Sequence, residues 1–203
     1  MDRSPYSNPE PDRKIRTVKA SHRAVYETFD WAENFFFAIL AVILVFTFLF
    51  RVVTVVGTSM TNTLQEGDYL VISNLGEPVK TGDIIVVKSE ALNEPLIKRV
   101  IATGGQWVDI DFDTWSVYVG DTPDTMEKLD EPYVLYHEGV PMRYEYTKEN
   151  YPMQIEEGYV FVLGDNRNGS MDSRDPAVGA IEEHLVFGRV LLRLFPISAF
   201  GTV

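Results

Sequence analysis

Ser59 lies within Val55-Val56-Gly57-Thr58-Ser59-Met60-Thr61-Asn62-Thr63-Leu64, a small polar stretch that follows directly on a long apolar run. A serine hydroxyl is a weak nucleophile until a neighbouring base takes its proton, so the chemistry turns on which base is within reach. The chain has three histidines, of which His137 and His184 sit in acidic, loop-like contexts and His22 precedes the apolar run. A Ser-x-x-Lys arrangement is absent, because Asn62 stands three residues after Ser59. A Gly-x-Ser-x-Gly elbow fails at Thr61. Lys98 differs from the histidines in that it interrupts an apolar strand, Leu96-Ile97-Lys98-Arg99-Val100-Ile101. Period-two alternation turns either Lys98 or Arg99 inward or toward a cleft. A lysine forced among apolar groups loses its preference for the charged form, and its pKa falls toward the range useful to a general base. The alternative is a strand lysine facing solvent.

A second polar cluster, Gly164-Asp165-Asn166-Arg167-Asn168-Gly169-Ser170-Met171-Asp172-Ser173-Arg174, follows the apolar strand Tyr159–Leu163. Asp172 can pair with Arg174, and Asp165 with Arg167 or Arg99, which would fix a loop otherwise free to move. Ser170 offers a hydroxyl able to orient an amine. A turn made only for structure would use Gly, Asn and Asp equally well.

These groups need elements to carry them. Residues 34–50 contain no charge, and at this length the run is close to the ~17-residue minimum for a spanning helix. Arg13, Lys14, Arg16, Lys19 and Arg23 precede it, whereas after Arg51 no basic residue occurs until Lys80. Basic flanks stay in the cytoplasm, which predicts a single-pass protein of the cytoplasmic membrane with its N-terminus inside. The expected organisation is a cytoplasmic tail over 1–33, solvated through Arg23 and helical from Ala24, then an anchor over 34–51 and an extracytoplasmic domain over 52–203. A core helix or a cleavable signal peptide is the alternative, but the run lacks a polar face and exceeds a signal peptide's apolar segment.

Beyond Leu64 the pattern becomes short β-rich pieces at 68–73, 83–88, 95–102, 107–110, 116–119, 159–163 and 187–194, separated by Gly, Asp, Asn and Pro. The fold class is mostly β, barrel-like or a sandwich, with a variable, irregular insertion around 121–157. Residues 1–33 carry equal numbers of acidic and basic residues, so the whole net charge of −12 lies beyond them. So acidic a surface argues against nucleic acid as a partner. The absence of cysteine excludes disulfides, thiolate catalysis and cysteine-held metals.

Taken together, the three stretches resemble the type I signal peptidases, membrane-anchored serine proteases that remove signal peptides from exported proteins, in the Gram-positive form with one N-terminal anchor. Gly57 to Leu64 is similar to that family's nucleophile block, Lys98-Arg99-Val100-Ile101 to its general-base block, and Gly164 to Arg174 to its most distinctive block. The resemblance implies a signal-peptidase/LexA-like β-barrel catalytic domain. It implies Ser59 as nucleophile, Lys98 as its base, and Ser170 as the hydroxyl positioning the Lys98 amine. Asp172 and Arg174 would form a supporting ion pair, with Gly164, Asp165 and Arg167 shaping the same loop. The oxyanion would be held by the Ser59 N–H, since Gly57 stands where other members carry a second hydroxyl. Asn62 departs from the family's usual proline, and Ala102 to Gln106 from its usual sequence.

The implied substrates are secretory preproteins cut after an Ala-x-Ala-like site on the outer membrane face, near the protein-export translocon. No cofactor and no metal are called for. Membrane lipid is a further expected partner, through Trp107, Trp115 or Phe200, for which core packing is the alternative. Rival readings are a LexA-like self-cleaving protein, disfavoured by the anchor and the lack of a basic DNA-binding segment, and a catalytically inactive membrane-tethered β module.

Overall fold

A computed structural model describes residues 13–74, 76, 78–89, 94–142 and 150–203, with the side chains of residues 13–26, 28, 45 and 48 outside that description. Two compact units are present, Met1–Thr47 and Phe48–Val203.

Among the described residues the first unit is one helix, α1 (Arg13–Leu49), whose last two residues fall within the second. It begins well before Ala24, so the part of the expected tail from Arg13 onward is helical. All its described side chains are exposed, including Phe35, Phe36 and Phe37 at 68%, 62% and 56%. The Thr47 hydroxyl donates to the Ile43 carbonyl at 2.7 Å, satisfying itself within the helix. Among the described residues no helix is long and apolar enough to cross a membrane; positions 45 and 48 of the apolar run lie outside the described side chains. The helix also stops short of the expected boundary at 51. Phe50-Arg51-Val52-Val53-Thr54 is rich in β-branched residues and pairs as a strand instead of extending the helix.

The second unit is mostly β, as expected. Its strands are β1 (Phe50–Thr54), β2 (Tyr69–Ser73), β3 (Ile84–Ser89), β4 (Glu94–Thr103), β5 (Trp107–Asp111), β6 (Ser116–Gly120), β7 (Glu127–Lys128), β8 (Met153–Gln154), β9 (Tyr159–Leu163), β10 (Ile181–Glu182) and β11 (Val186–Phe195). They form a seven-stranded sheet ordered β1-β2-β11-β3-β4-β9-β10 and a four-stranded sheet ordered β7-β6-β5-β8, with every pair antiparallel. Among the described residues neither sheet closes, which corrects the expected barrel. The larger sheet ends on β1 and the two-residue β10, and these do not pair with each other.

Strand β4 positions the candidate base. It is central, between β3 and β9, with Ile85 opposite Lys98 and Leu163 opposite Arg99. Alternation predicts that only one of Lys98 and Arg99 is enclosed, yet both are buried, at 2% and 7% exposure. Both faces of β4 are covered: Ile97 packs with Met60, Leu64 and Ile84, Val100 with Ile85 and Val162, and Ile101 with Phe112 and Phe161. The described part of the 121–157 segment is not a separate lobe. Met142 and Ile155 are fully buried in the third of these clusters, and Trp115 Nε1 donates to the Val140 carbonyl at 2.7 Å.

Candidate active site

Ser59 sits in a tight turn that two apolar plugs hold down. Met60 and Leu64 are 1% and 0% exposed, and the Thr63 and Leu64 N–H groups both donate to the Met60 carbonyl. Behind the turn, Arg193 Nη1 meets Asp68 at 2.7 Å while its Nη2 donates to the Thr63 carbonyl at 3.1 Å. The result presents a half-exposed Ser59 above a buried floor.

Lys98 reaches this hydroxyl from β4. Its Nζ donates to Ser59 Oγ at 2.7 Å, although 39 residues separate the two in sequence. Burial pulls the Lys98 amine from 10.5 down to about 8; Asp172 and Asp165 oppose that fall, and Arg174 adds to it. Neither of the histidines with a described side chain offers a competing base. His184 is 70% exposed and paired with Glu182, and His137 is exposed beside the Trp115 ring.

The loop after β9 closes the site from the other side. Asn166 N–H donates to the Ser59 carbonyl at 3.0 Å, and Asn166 Nδ2 to the Thr58 carbonyl at 3.1 Å. Gly164 is required by close approach, since a Cβ there would stand 2.6 Å from the Ser59 carbonyl oxygen and overlap the Ser170 side chain. Gly57 is required by its φ of +83°, which starts the turn in the left-handed region.

Two buried bidentate ion pairs brace the loop. Arg174 grips Asp172 with Nε and Nη2, each at 2.8 Å, and Asp172 also accepts from the Gly164 N–H at 3.0 Å. Burial alone would push the Asp172 carboxyl up; the Arg174 guanidinium, the bond from the Gly164 N–H and the neighbouring Ser170 hydroxyl outweigh it and hold the group low. Arg99 grips Asp165 at 2.9 and 2.8 Å, which settles the choice the sequence left open between Arg99 and Arg167. Arg167, wholly buried, pairs instead with Glu131 at 2.5 Å and donates Nε to the Gly164 carbonyl. Ser170 contributes to the low Asp172 pKa, but its buried Oγ meets no hydrogen-bond geometry among the described residues, so it is not bonded to Lys98 as the resemblance implies.

Sequence reasoning missed Thr63, whose hydroxyl donates to Asp165 Oδ2 at 2.5 Å, and the pair Glu131 and Tyr133. Thr63 lay inside a block already singled out. Glu131-Pro132-Tyr133 carried no signal, lying in a segment read as irregular. Of the proposed lipid contacts, Trp115 is buried and Trp107 half-buried, whereas Phe200 is 62% exposed.

The arrangement can activate a hydroxyl beside an amine that loses its proton near pH 8, with the Ser59 N–H directed to no backbone carbonyl among the described residues. Residues 28–195 match the family described as "Signal peptidase, peptidase S26". Similar relatives include signal peptidase I of Bacillus licheniformis, 32% identical over 84% of this chain and 90% of that protein. Signal peptidase I T of Bacillus subtilis is 30% identical over 92% and 95% of the two chains. Signal peptidase IB of Staphylococcus aureus is 31% identical over 86% and 93%. A solved signal peptidase I from Enterococcus faecalis aligns at 25% identity over 56% of this chain and 97% of its own, with a TM-score of 0.44.

Proposed function

The chain belongs to the signal peptidase family, peptidase S26, as a type I member and a serine peptidase, and from that premise we propose that it cleaves secretory preproteins with a Ser59–Lys98 dyad. Ser59 Oγ attacks the scissile carbonyl as the neutral Lys98 amine takes its proton. The resulting ammonium protonates the leaving amine, and Lys98, neutral again, activates the water that releases the acyl group. The Ser59 N–H faces the developing oxyanion. The observation that carries this reading is the 2.7 Å contact between a half-exposed hydroxyl and a lysine only 2% exposed. Asp172–Arg174 and Asp165–Arg99 hold the loop after β9, which Asn166 ties to the Ser59 turn. Ser170 is assigned to orient the amine during the reaction and not in the resting state; its buried Oγ, hydrogen-bonded to nothing among the described residues, is left for that role.

The substrate reading is Ala-x-Ala-like cleavage on the outer face of the cytoplasmic membrane, close to the translocon where preproteins emerge. A preprotein with Ala at the first and third positions before the cut should be processed, and Ala→Phe at either should slow processing at least ~10-fold, because a shallow pocket rejects bulk. Equal rates for the Ala and Phe preproteins, read from gel-resolved product, would rule out small-residue selection.

In the proposed topology the tail is cytoplasmic and α1 anchors the chain. Support comes from the uncharged run in the sequence, the exposure of every described side chain of α1, and the basic residues before the run. Lipid contact by the catalytic unit is reassigned from the tryptophans to an apolar corner at the ends of β2 and β11. There Tyr69 and Phe195 meet edge to face, and Ile197 and Phe200 are 80% and 62% exposed. Ile197→Ser with Phe200→Ser should lower processing of membrane-borne preprotein several-fold in proteoliposomes and spare a soluble peptide. Equal effects on the two substrates would count against a lipid role.

A further inference from the structure

The segment between β7 and β8 touches every element that forms the candidate site. Tyr133 is its hub. The Tyr133 carbonyl accepts from Asn62 Nδ2 at 3.0 Å, on the Ser59 turn. Its ring lies 3.8 Å under the Arg99 guanidinium, on β4 next to Lys98. Its hydroxyl donates to Glu131 Oε1 at 3.0 Å, and the same oxygen takes Arg167 Nη2 from the loop after β9. Two residues on, the Leu135 N–H donates to the Asp165 carbonyl at 2.9 Å.

Those loops are held by buried side chains, turn bonds and ion pairs and not by a strand ladder. The Ser59 turn and the 164–170 loop lie outside the strands and depend on bonds such as Asn166 to Ser59 and Thr58. A guanidinium that already spends Nε and Nη2 on Asp165 and Nη1 on the Gly82 carbonyl is fixed in its plane but not along the normal to it, and the Tyr133 ring supplies that restraint. Asn62 has a φ of +99°, which a proline ring locked near −65° cannot adopt. Asn62 thus makes a bond that proline could not make, and through it the turn gains a restraint from Tyr133 beyond its own plugs and turn bonds.

We propose that Glu131–Leu135 is a strap, and Tyr133 a positioning residue, that sets the Ser59 turn and Arg99 in register with Lys98. The proposal rests on the Ser59–Lys98 reading. Tyr133 acts through others and touches neither the hydroxyl nor the amine. Burial, and then Glu131, hold the phenol well above its ordinary pKa, so it donates to Glu131 throughout the working pH range and the strap is a fixed brace. Lys98 itself faces Asp172, Arg174 and Asp165. Loosening Arg99 leaves the Asp165 charge less balanced and should move the Lys98 titration upward.

The test is steady-state cleavage of a signal-peptide substrate by the full chain in detergent, across pH, for wild type, Ser59→Ala, Tyr133→Leu, Tyr133→Phe and Asn62→Gly, with unfolding temperatures alongside. Tyr133→Leu should lower kcat ~10- to 100-fold with little change in KM, as expected for a displacement of about an ångström, and should shift the rising pH limb upward. Tyr133→Phe keeps the ring under Arg99 and should recover most of kcat. Asn62→Gly keeps the backbone conformation and removes the bond to Tyr133, so it should lower kcat several-fold at constant KM; it decides the matter if Tyr133→Leu does not fold. A drop in unfolding temperature with kcat per folded molecule and pH limb unchanged would overturn the strap while leaving the dyad intact. Cleavage by Ser59→Ala would remove the dyad, and the strap with it.

Discussion

Lys98→Met is expected to abolish signal-peptide cleavage and, at the same time, to make the protein more stable at neutral pH. The catalytic loss follows from the geometry: Met fills the volume beneath Ser59 but cannot accept a proton, and losing a positioned general base costs up to ~10⁴-fold. We expect at least ~10³-fold in kcat, with Ser59→Ala comparably inactive. The stability gain follows from the sign of the Lys98 shift. Its folded pKa, about 8, lies below the ordinary 10.5, so between those values the unfolded chain holds more protons. Wild-type stability therefore rises with pH through that window, and below about 8 the folded state bears the full cost of a buried ammonium, ~3 kcal/mol from a shift of this size. Loss of the bond to Ser59 offsets ~1 kcal/mol. Urea unfolding at pH 7 should thus show Lys98→Met ~2 kcal/mol more stable than wild type, with the advantage shrinking as pH approaches 10. A variant that is inactive and also less stable at pH 7 would mean that the lysine is not held against its charge.

The second large effect is on rate against pH. Only the neutral amine can accept the Ser59 proton, so kcat/KM should climb with unit slope through pH 8 and level off above it. At pH 6 about one molecule in a hundred carries a neutral Lys98, so the rate should be ~100-fold below the plateau. Asp172, held low by Arg174, stays ionised across this range and adds no second limb. A rate flat between pH 6 and 9 would remove lysine from the role of base.

The strands that carry the site could be read from the sequence because alternation and turn residues coincide there: β2, β3, β4, β5, β6, β9 and β11 fall within a residue or so of their expected places. Strand β1 was hidden by its neighbour, since Val52 and Val53 continue the apolar run of α1 and hydropathy does not separate the end of a helix from the start of a strand. The two-residue strands β7, β8 and β10 are too short to show a period. Ser59 and Lys98 stood out because a polar turn and an apolar strand each contain one residue of the wrong kind. Nothing comparable marks Glu131 or Tyr133, whose partners Arg167, Arg99 and Asn62 are 34 to 71 positions away and are joined only by the packed fold. The choice between Arg99 and Arg167 for Asp165 had the same origin: charge complementarity names candidates, and only the position of β4 beside the loop decides.

The most direct measurement is the titration of Lys98 itself, by NMR of its side-chain nitrogen in the folded, full-length protein, with Lys98→Met used to assign the signal. A midpoint near 8, coincident with the rising limb of kcat/KM, is the expected result. A midpoint in the ordinary lysine range, near 10.5, in protein that still cleaves would contradict the account.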